Sequence, residues 1–413
     1  MNKIKRGLKN FSYLTLGTII AQGIGFIGFI YLARYLGPDH YGIFVTVGAF
    51  MGIFQLVAFP GLKKTVIREG SKDVENADAI LNRTVGLQSV FIMIAIMAML
   101  VGSLFTGYEA RTKFYIAIFS LSLFSNSFKS YINTIYKFTE KMEYLAIFEV
   151  IRMGLFVGFA ILFLKMGFGL FTVVILSVLT SFLDMVLRFY RSKGIVKFNV
   201  FSKFRWDMDI VKPSVVFSAM NVAGSLHSKA DLFMISLLGT APEVAIYGVA
   251  YYLAREAEVL KNLLGDAFFP VAVKTLHEGR VKKKSIVTIS IFSIAGMIVL
   301  SVIGYFVAEP VVIFLFGEDY AESGRILQVL IFYMVAYFST LPFTEAVQAT
   351  GNEIVVLYGK GTMAILNIPL NIILYWNYGL IGIAYSTLII YTVGSVIINI
   401  YSYHILDKQG YFK

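Results

Sequence analysis

The sequence predicts an all-α polytopic membrane protein with 12 transmembrane helices in two six-helix lobes related by pseudo-two-fold symmetry. Three observations predict it. Twelve long apolar stretches fill the 413 residues, hydrophobic residues make up 58% of the chain with mean hydropathy +0.75, and basic residues gather in alternate loops. A helix rises about 1.5 Å per residue and must cross about 30 Å of hydrocarbon, so roughly 20 mostly apolar residues mark each span. The spans fall at 11–36, 41–62, 84–106, 114–136, 145–165, 168–190, 213–238, 244–266, 285–308, 324–347, 355–376 and 380–403.

The first stretch follows Lys3, Lys5, Arg6 and Lys9 and continues past Tyr31. That is longer than a signal-peptide core, and no small-x-small cleavage site follows, so it stays as a helix. The longest segments outside the spans, 63–83 and 191–212, are too short for a soluble domain, and no extramembrane enzyme is expected. The sequence has no cysteine, which excludes disulfides and thiolate chemistry.

The net charge of +11 raises nucleic acid as a partner, and its distribution argues against one. Alternating helix direction puts 26 of the 36 Lys and Arg on the amino-terminal side and 5 on the other, with 5 inside spans. This asymmetry is the positive-inside pattern, so the expected location is the cell membrane with both termini cytoplasmic.

The basic loop at 191–212 splits the spans into lobes 1–200 and 201–413. The first two spans are joined by Tyr35-Leu36-Gly37-Pro38-Asp39-His40-Tyr41-Gly42, and the seventh and eighth by Leu238-Gly239-Thr240-Ala241-Pro242 leading to Tyr247-Gly248. A second echo pairs Gly167-Phe168-Gly169 before the sixth span with Gly379-Leu380-Ile381-Gly382 before the twelfth. Two echoes in register indicate duplication, and two such lobes are the architecture of an alternating-access transporter.

Three motifs lose their usual meaning in this context. Gly23-Ile24-Gly25-Phe26-Ile27-Gly28 matches the dinucleotide fingerprint but lies inside an apolar span without a preceding strand. It reads as close helix packing, as does Gly48-x-x-x-Gly52. The sequons at Asn10 and Asn82 fall on the cytoplasmic side or the membrane edge, and His40, His227, His277 and His404 are too scattered for a metal site. No metal or cofactor is expected.

Ionisable residues inside the membrane carry the functional signal, because a charge there is expensive and normally faces a cavity. In the eighth span Tyr251, Tyr252, Arg255, Glu258, Asn262 and Asp266 recur at spacings of 3 and 4 and form one stripe. Arg255 is near the midplane, with Glu258 one turn away to neutralise part of its charge. The seventh span presents Ser214, Ser218, Asn221, Ser225 and Lys229, with His227 and Asp231 beside them, and Lys229 falls near the level of Arg255. Glu149 with Arg152, and Asp184 with Arg188, have the spacing of ion pairs within one helix. Arg152 reads equally as a substrate contact. Lys129 and Lys261 lie off the stripes and read as snorkelling side chains.

Midplane cations flanked by tyrosine, serine and asparagine suit a phosphate or a sugar. A multidrug exporter of cationic compounds is the alternative, kept open by Asp231, Glu256 and Glu258.

The run Tyr31-Leu32-Ala33-Arg34-Tyr35-Leu36-Gly37-Pro38-Asp39-His40-Tyr41-Gly42 resembles the opening of the O-antigen type oligosaccharide flippases of the polysaccharide-transporter family. So do Gly61-Leu62 with Val66-Ile67-Arg68-Glu69, Lys229-Ala230-Asp231, Phe316-Gly317-Glu318-Asp319-Tyr320, and Leu366-Asn367-Ile368-Pro369-Leu370-Asn371. An arginine is commoner in the family where Lys229 stands. The resemblance implies two six-helix lobes shared with multidrug and toxin extrusion transporters. It also implies a polyprenyl-pyrophosphate-linked oligosaccharide as substrate, turned from the cytoplasmic to the outer leaflet.

Under this reading no bond is broken. Arg255 and Lys229 hold the pyrophosphate, with Arg152 as a further contact, and Tyr251, Tyr252, Asn221 and Asn262 meet the sugars. Asp231, Glu256 and Glu258 are candidates for ion coupling. The expected partners are the lipid-linked oligosaccharide, membrane lipid, and a glycan polymerase or glycosyltransferases.

Overall fold

The computed structural model describes residues 3–411 except 59–60, 200–201, 278–282 and 353. Among them the regular structure is helical: α1 (Lys3–Phe54), α2 (Gly61–Lys72), α3 (Ala77–Leu104), α4 (Ala110–Phe138), α5 (Glu143–Lys165), α6 (Leu170–Lys193), α7 (Met208–Leu238) and α8 (Ala241–His277). There follow α9 (Lys283–Phe316), a 3-10 turn (Glu318–Tyr320), α10 (Ala321–Leu330), α11 (Tyr333–Ser339), α12 (Leu341–Ala349), α13 (Ile354–Tyr378) and α14 (Leu380–Lys408). Among the described residues, eight segments are long and apolar enough to cross a membrane: α1 from Thr15, α3, α5, α6, α9 from Ile286, the run Glu318–Ala349, α13 and α14. The other long helices, α4, α7 and α8, carry more polar and charged residues.

Three differences from the sequence reading have local causes. The first two spans form one helical run broken at Gly37, whose φ of 69° lies in the left-handed region that favours glycine, and Pro38 has the fixed φ suited to restarting a helix. The segment 63–83, expected as loop, is helical over most of its length. Leu62, Thr65 and Val66 of α2 are buried while Lys64, Arg68 and Lys72 point away, a helical period that a long apolar window does not register. The tenth span, 324–347, is three short helices. Pro342 opens α12, and the hydroxyls of Thr340 and Thr344 turn back onto the carbonyls of Tyr337 and Thr340, which bends helices.

The two echoed junctions, at Gly37 and at Gly239, are built differently. Where α1 runs on through Gly37, α7 stops at Leu238 and α8 starts afresh with a reciprocal cap. The Glu243 carboxylate accepts from the Thr240 backbone N–H at 2.7 Å, and the Thr240 hydroxyl faces the Glu243 N–H at 3.5 Å.

The chain divides into two compact units, Met1–Val222 and Ala223–Lys413, with the division inside α7. In unit 1, α5 lies along α1. A Cβ on Gly17, Gly25 or Gly28 would come within 2.5 Å of Ala146, Met153 or Val157, so these glycines are where the two helices meet. Gly48, read from sequence as a packing glycine, has open space around its Cβ position. In unit 2, α10 to α12 pack with α8, α9 and α14, and α13 packs along α14.

The start of α7 is seated on α2. Gly61 donates its N–H to Ser218 Oγ at 3.0 Å, and Ser214 Oγ lies 2.7 Å from Thr65 Oγ1. A Cβ at Gly61 would stand 2.0 Å from the Ser214 carbonyl oxygen, a backbone atom with nowhere to go. Gly61→Ala is therefore expected to cost about 1–3 kcal/mol by overpacking. A thermal unfolding curve in detergent checks this, and Gly48→Ala, in open space, serves as the silent control.

The segment before α7 is tied to the start of α3 through the Arg83–Asp207 ion pair, with Arg83 Nε 3.0 Å from Asp207 Oδ2. The Arg83 hydrogen bond holds the Asp207 carboxyl below the usual carboxylate range. A depressed carboxylate contributes its stabilisation above its unfolded pKa and loses it as pH falls through the folded value. The tie should thus be unchanged from about pH 5 to 8 and release only below about pH 4. Emission from Trp206, read in a Trp376→Phe variant across that range, checks it.

Candidate polar sites within the two units

In unit 1 the two ion pairs expected within single helices are parts of one network across α4, α5 and α6. Arg188, only 1% exposed, donates from Nε to Asp184 Oδ1 at 2.6 Å, from Nη1 to Asn133 Oδ1 at 2.9 Å, and from Nη2 to Glu149 Oε2 at 3.3 Å. Its guanidinium also lies over the Phe148 ring at 5.3 Å, and its carbonyl accepts from Tyr136 at 2.6 Å. Arg152 pairs with Glu149 at 2.5 Å and approaches Asp184 at 3.9 Å. Lys129, expected to snorkel, instead reaches Asp184 at 3.1 Å. Three cations face two carboxylates, leaving an excess of one positive charge in a low-dielectric setting where removing either acid is expensive.

Asn221 is half-buried and spends its amide on the Phe217 carbonyl of its own helix at 2.8 Å.

Unit 2 holds the other predicted residues, and there the carboxylates have definite partners. Asp231 is 4% exposed and accepts four hydrogen bonds. Asn367 and Asn371 donate to Oδ1 at 2.9 and 2.8 Å, and Tyr247 and Thr387 to Oδ2 at 3.1 and 2.8 Å. These donors come from α13, α8 and α14. Protonating Asp231 would turn an acceptor into a donor and break at least one of these bonds. Glu258 accepts from Tyr333 and Tyr391, both at 3.1 Å, and Glu256 is engaged by the Tyr252 hydroxyl one turn earlier on α8.

The cations are arranged differently. Glu258, expected to neutralise Arg255, is turned to the two tyrosines. Among the described residues Arg255 is exposed and makes no hydrogen bond or ion pair. Lys229 on α7 is half-buried and feels the Arg255 charge, so the structure brings these two predicted cations into one field. Lys261, expected to snorkel, is buried, donates to Thr340 Oγ1 at 2.7 Å and sits 3.6 Å from the Tyr337 ring centroid.

Of the predicted sugar contacts, Tyr251 is 5% exposed and stacks on Tyr247 at 6.1 Å, whereas Tyr252 is half-buried. The side chains of Asn262, Asp266 and His227 lie outside the described residues.

Sequence reasoning missed the partners. Asn367 and Asn371, spaced i, i+4 on an apolar helix, were a legible polar face of α13, but that Asp231 was its target depends on tertiary packing. Tyr333 and Tyr391 gave no signal, since a tyrosine in an apolar run reads as core.

A family described as "Polysaccharide biosynthesis protein" matches residues 7–276. The probable low-salt glycan biosynthesis flippase Agl15 of Haloferax volcanii is 21% identical over 393 residues, covering 93% of this chain and 81% of its own. Among solved structures, a multidrug resistance MATE family transporter of the MOP superfamily, in an inward-facing conformation, aligns with TM-score 0.78 at 16% identity over 97% of this chain and 99% of its own. The lipid II flippase MurJ, inward closed, aligns with TM-score 0.74 at 17% identity over 96% and 90%. At such identities the structural likeness speaks for the all-helical fold alone, while the family match extends over more than half of the sequence. The chain belongs to the polysaccharide biosynthesis protein family.

Proposed function

We propose that this protein is a flippase that turns a polyprenyl-pyrophosphate-linked oligosaccharide from the cytoplasmic to the outer leaflet for assembly of a surface glycan. One observation carries the reading: in unit 2 Asp231, Glu256 and Glu258 are each engaged by neutral hydrogen-bond donors, while Arg255 is exposed without an acid partner among the described residues. Such a site attracts an anion and offers little to a cationic drug. The Agl15 relative, a probable glycan biosynthesis flippase, and the fold shared with the lipid II flippase MurJ support the same substrate class.

In this reading Arg255 and Lys229 take the pyrophosphate, and Tyr252, half-buried where Tyr251 is buried, is the more accessible tyrosine of the sugar-contacting set. Arg152 joins only by exchanging its Glu149 partner for the ligand, because it is already ion-paired. Twelve spans in two lobes, 1–200 and 201–413, with both termini cytoplasmic, complete the arrangement. Asp231, Glu256 and Glu258 are the coupling candidates, and Glu258 keeps a second carboxylate oxygen that the two tyrosines do not use.

The test is transport itself. Purified protein in liposomes should move a fluorescent prenyl-pyrophosphate oligosaccharide between leaflets, and deletion in the host should remove the surface glycan. No movement of any such substrate together with an intact glycan would sink the reading, and drug hypersensitivity with a normal glycan would replace it with the exporter.

A further inference from the structure

We propose that an aromatic groove on unit 1, walled by α3, α4, α6 and the loop residues Phe198, Asn199, Ser202 and Phe204, binds an anionic phospholipid of the leaflet on the amino-terminal side. The groove encloses about 790 Å³. Phe124, Phe128, Phe189, Phe198 and Phe204 line it, with Lys193 at its rim. The rings form a continuous surface: Phe128 meets Phe189 at 6.4 Å, and Phe189 meets Phe198 edge-on at 6.0 Å.

The loop wall is held in place. Asn82 Oδ1 accepts from the Asn199 backbone N–H at 2.7 Å and from the Ser202 hydroxyl at 3.3 Å. A Cβ on Gly86 would stand 2.7 Å from the Ser202 carbonyl oxygen, so the close approach of loop to α3 requires glycine there. The Arg83–Asp207 pair ties the segment before α7 to α3 a second time.

The groove's direction identifies an acyl chain as occupant. The groove shares Ser89 and Val90 with a shallow, open apolar track along one face of α3 that runs through Met93 and Met97 to Val101. Ser89 to Val101 covers about 18 Å of helix, against about 15 Å for the hydrocarbon of one leaflet. The side chains of Val90, Met93, Met97 and Val101 are exposed on unit 1, as a lipid-facing track requires.

Charge selects the headgroup. Lys193, Lys197, Lys203 and Arg205 are all exposed, and Asp207 is committed to Arg83. Exposed Phe204, Trp206 and Met208 alternate with these cations, and Trp206 is 58% exposed. Apolar and cationic side chains interleaved in this way belong in a headgroup layer, and a basic cluster next to a membrane helix favours acidic lipid. A zwitterionic headgroup would leave the four cations without net compensation.

The chain has two tryptophans, Trp206 and Trp376, and the latter is exposed on α13. Trp206 alone therefore reports in a Trp376→Phe protein, reconstituted into vesicles containing brominated phosphatidylglycerol or brominated phosphatidylcholine. Phosphatidylglycerol should quench Trp206 at a mole fraction about tenfold lower than phosphatidylcholine does. Changing Lys193, Lys203 and Arg205 to glutamine should erase this tenfold preference. Ser89→Phe, which fills the groove and leaves every charge in place, should also weaken quenching by phosphatidylglycerol. Equal quenching by the two lipids overturns the proposal, as does a preference that survives the triple neutralisation. If Ser89→Phe does not fold, the two-lipid comparison in the Trp376→Phe protein still decides.

Discussion

Replacing Arg255 by alanine is expected to abolish flipping while the protein still accumulates in the membrane at its normal level. Arg255 is exposed and, among the described residues, unpaired, so its removal leaves no buried acid behind. A charge-assisted hydrogen bond contributes about 1.5–3 kcal/mol, and a guanidinium makes two to a phosphate. Losing both lowers substrate affinity on the order of 10²- to 10⁴-fold. Arg255→Lys should keep part of the activity, because an ammonium still binds phosphate as a point charge.

The decisive comparison is the double variant Arg255→Ala with Glu258→Ala. If Arg255 served only to balance Glu258, removing both would restore transport. The structure gives Glu258 to Tyr333 and Tyr391 instead, so the double variant should stay inactive and be less stable than the single one, with two tyrosine hydroxyls left without their acceptor. Active double-variant protein in the liposome assay would refute the ligand role and leave Lys229 as the cation to examine.

This contrast shows where sequence was informative. Spacing of 3 and 4 along α8 correctly put Arg255 and Glu258 near each other in the helix, because helical geometry is local. It could not choose between an i, i+3 neighbour and a tyrosine 75 or 133 residues away, because that choice is made by the packing of α8 against α11 and α14. Helix positions were legible for the same reason, since an apolar run long enough to span a bilayer has few other uses. Where a polar hydroxyl or a proline bent the chain, as at Thr340 and Pro342, the average over a window concealed the break. Lys129 and Lys261 illustrate the limit from the other side. Off any stripe, both read as snorkelling, yet Lys129 ends on Asp184 and Lys261 on Thr340.

Asp184→Ala should be the most damaging single change in unit 1. The network there has Lys129, Arg152 and Arg188 against Asp184 and Glu149, and Asp184 touches all three cations. Without it the excess charge doubles from one to two, and Arg188 cannot escape to water from a position 1% exposed. Breaking a buried pair in this way costs about 3–5 kcal/mol, a large share of the roughly 5–15 kcal/mol that holds a protein folded. The expected result is a marked loss of monodisperse protein on size exclusion and a lowered unfolding temperature.

A compensating change separates charge balance from loss of shape. Lys129 contacts Asp184 and has no other ion pair among the described residues, so Asp184→Ala with Lys129→Met returns the excess to one. If charge balance governs stability, the double variant should recover most of the loss, since a methionine fits a lysine's volume and needs no counter-ion. Recovery should be smaller for Asp184→Ala with Arg188→Met, because that pair also discards the bonds to Asn133 and Glu149 that tie α6 to α4 and α5. A Lys129→Met double variant no more stable than Asp184→Ala alone would show that Asp184 acts through its hydrogen bond to Arg188 rather than through the charge count.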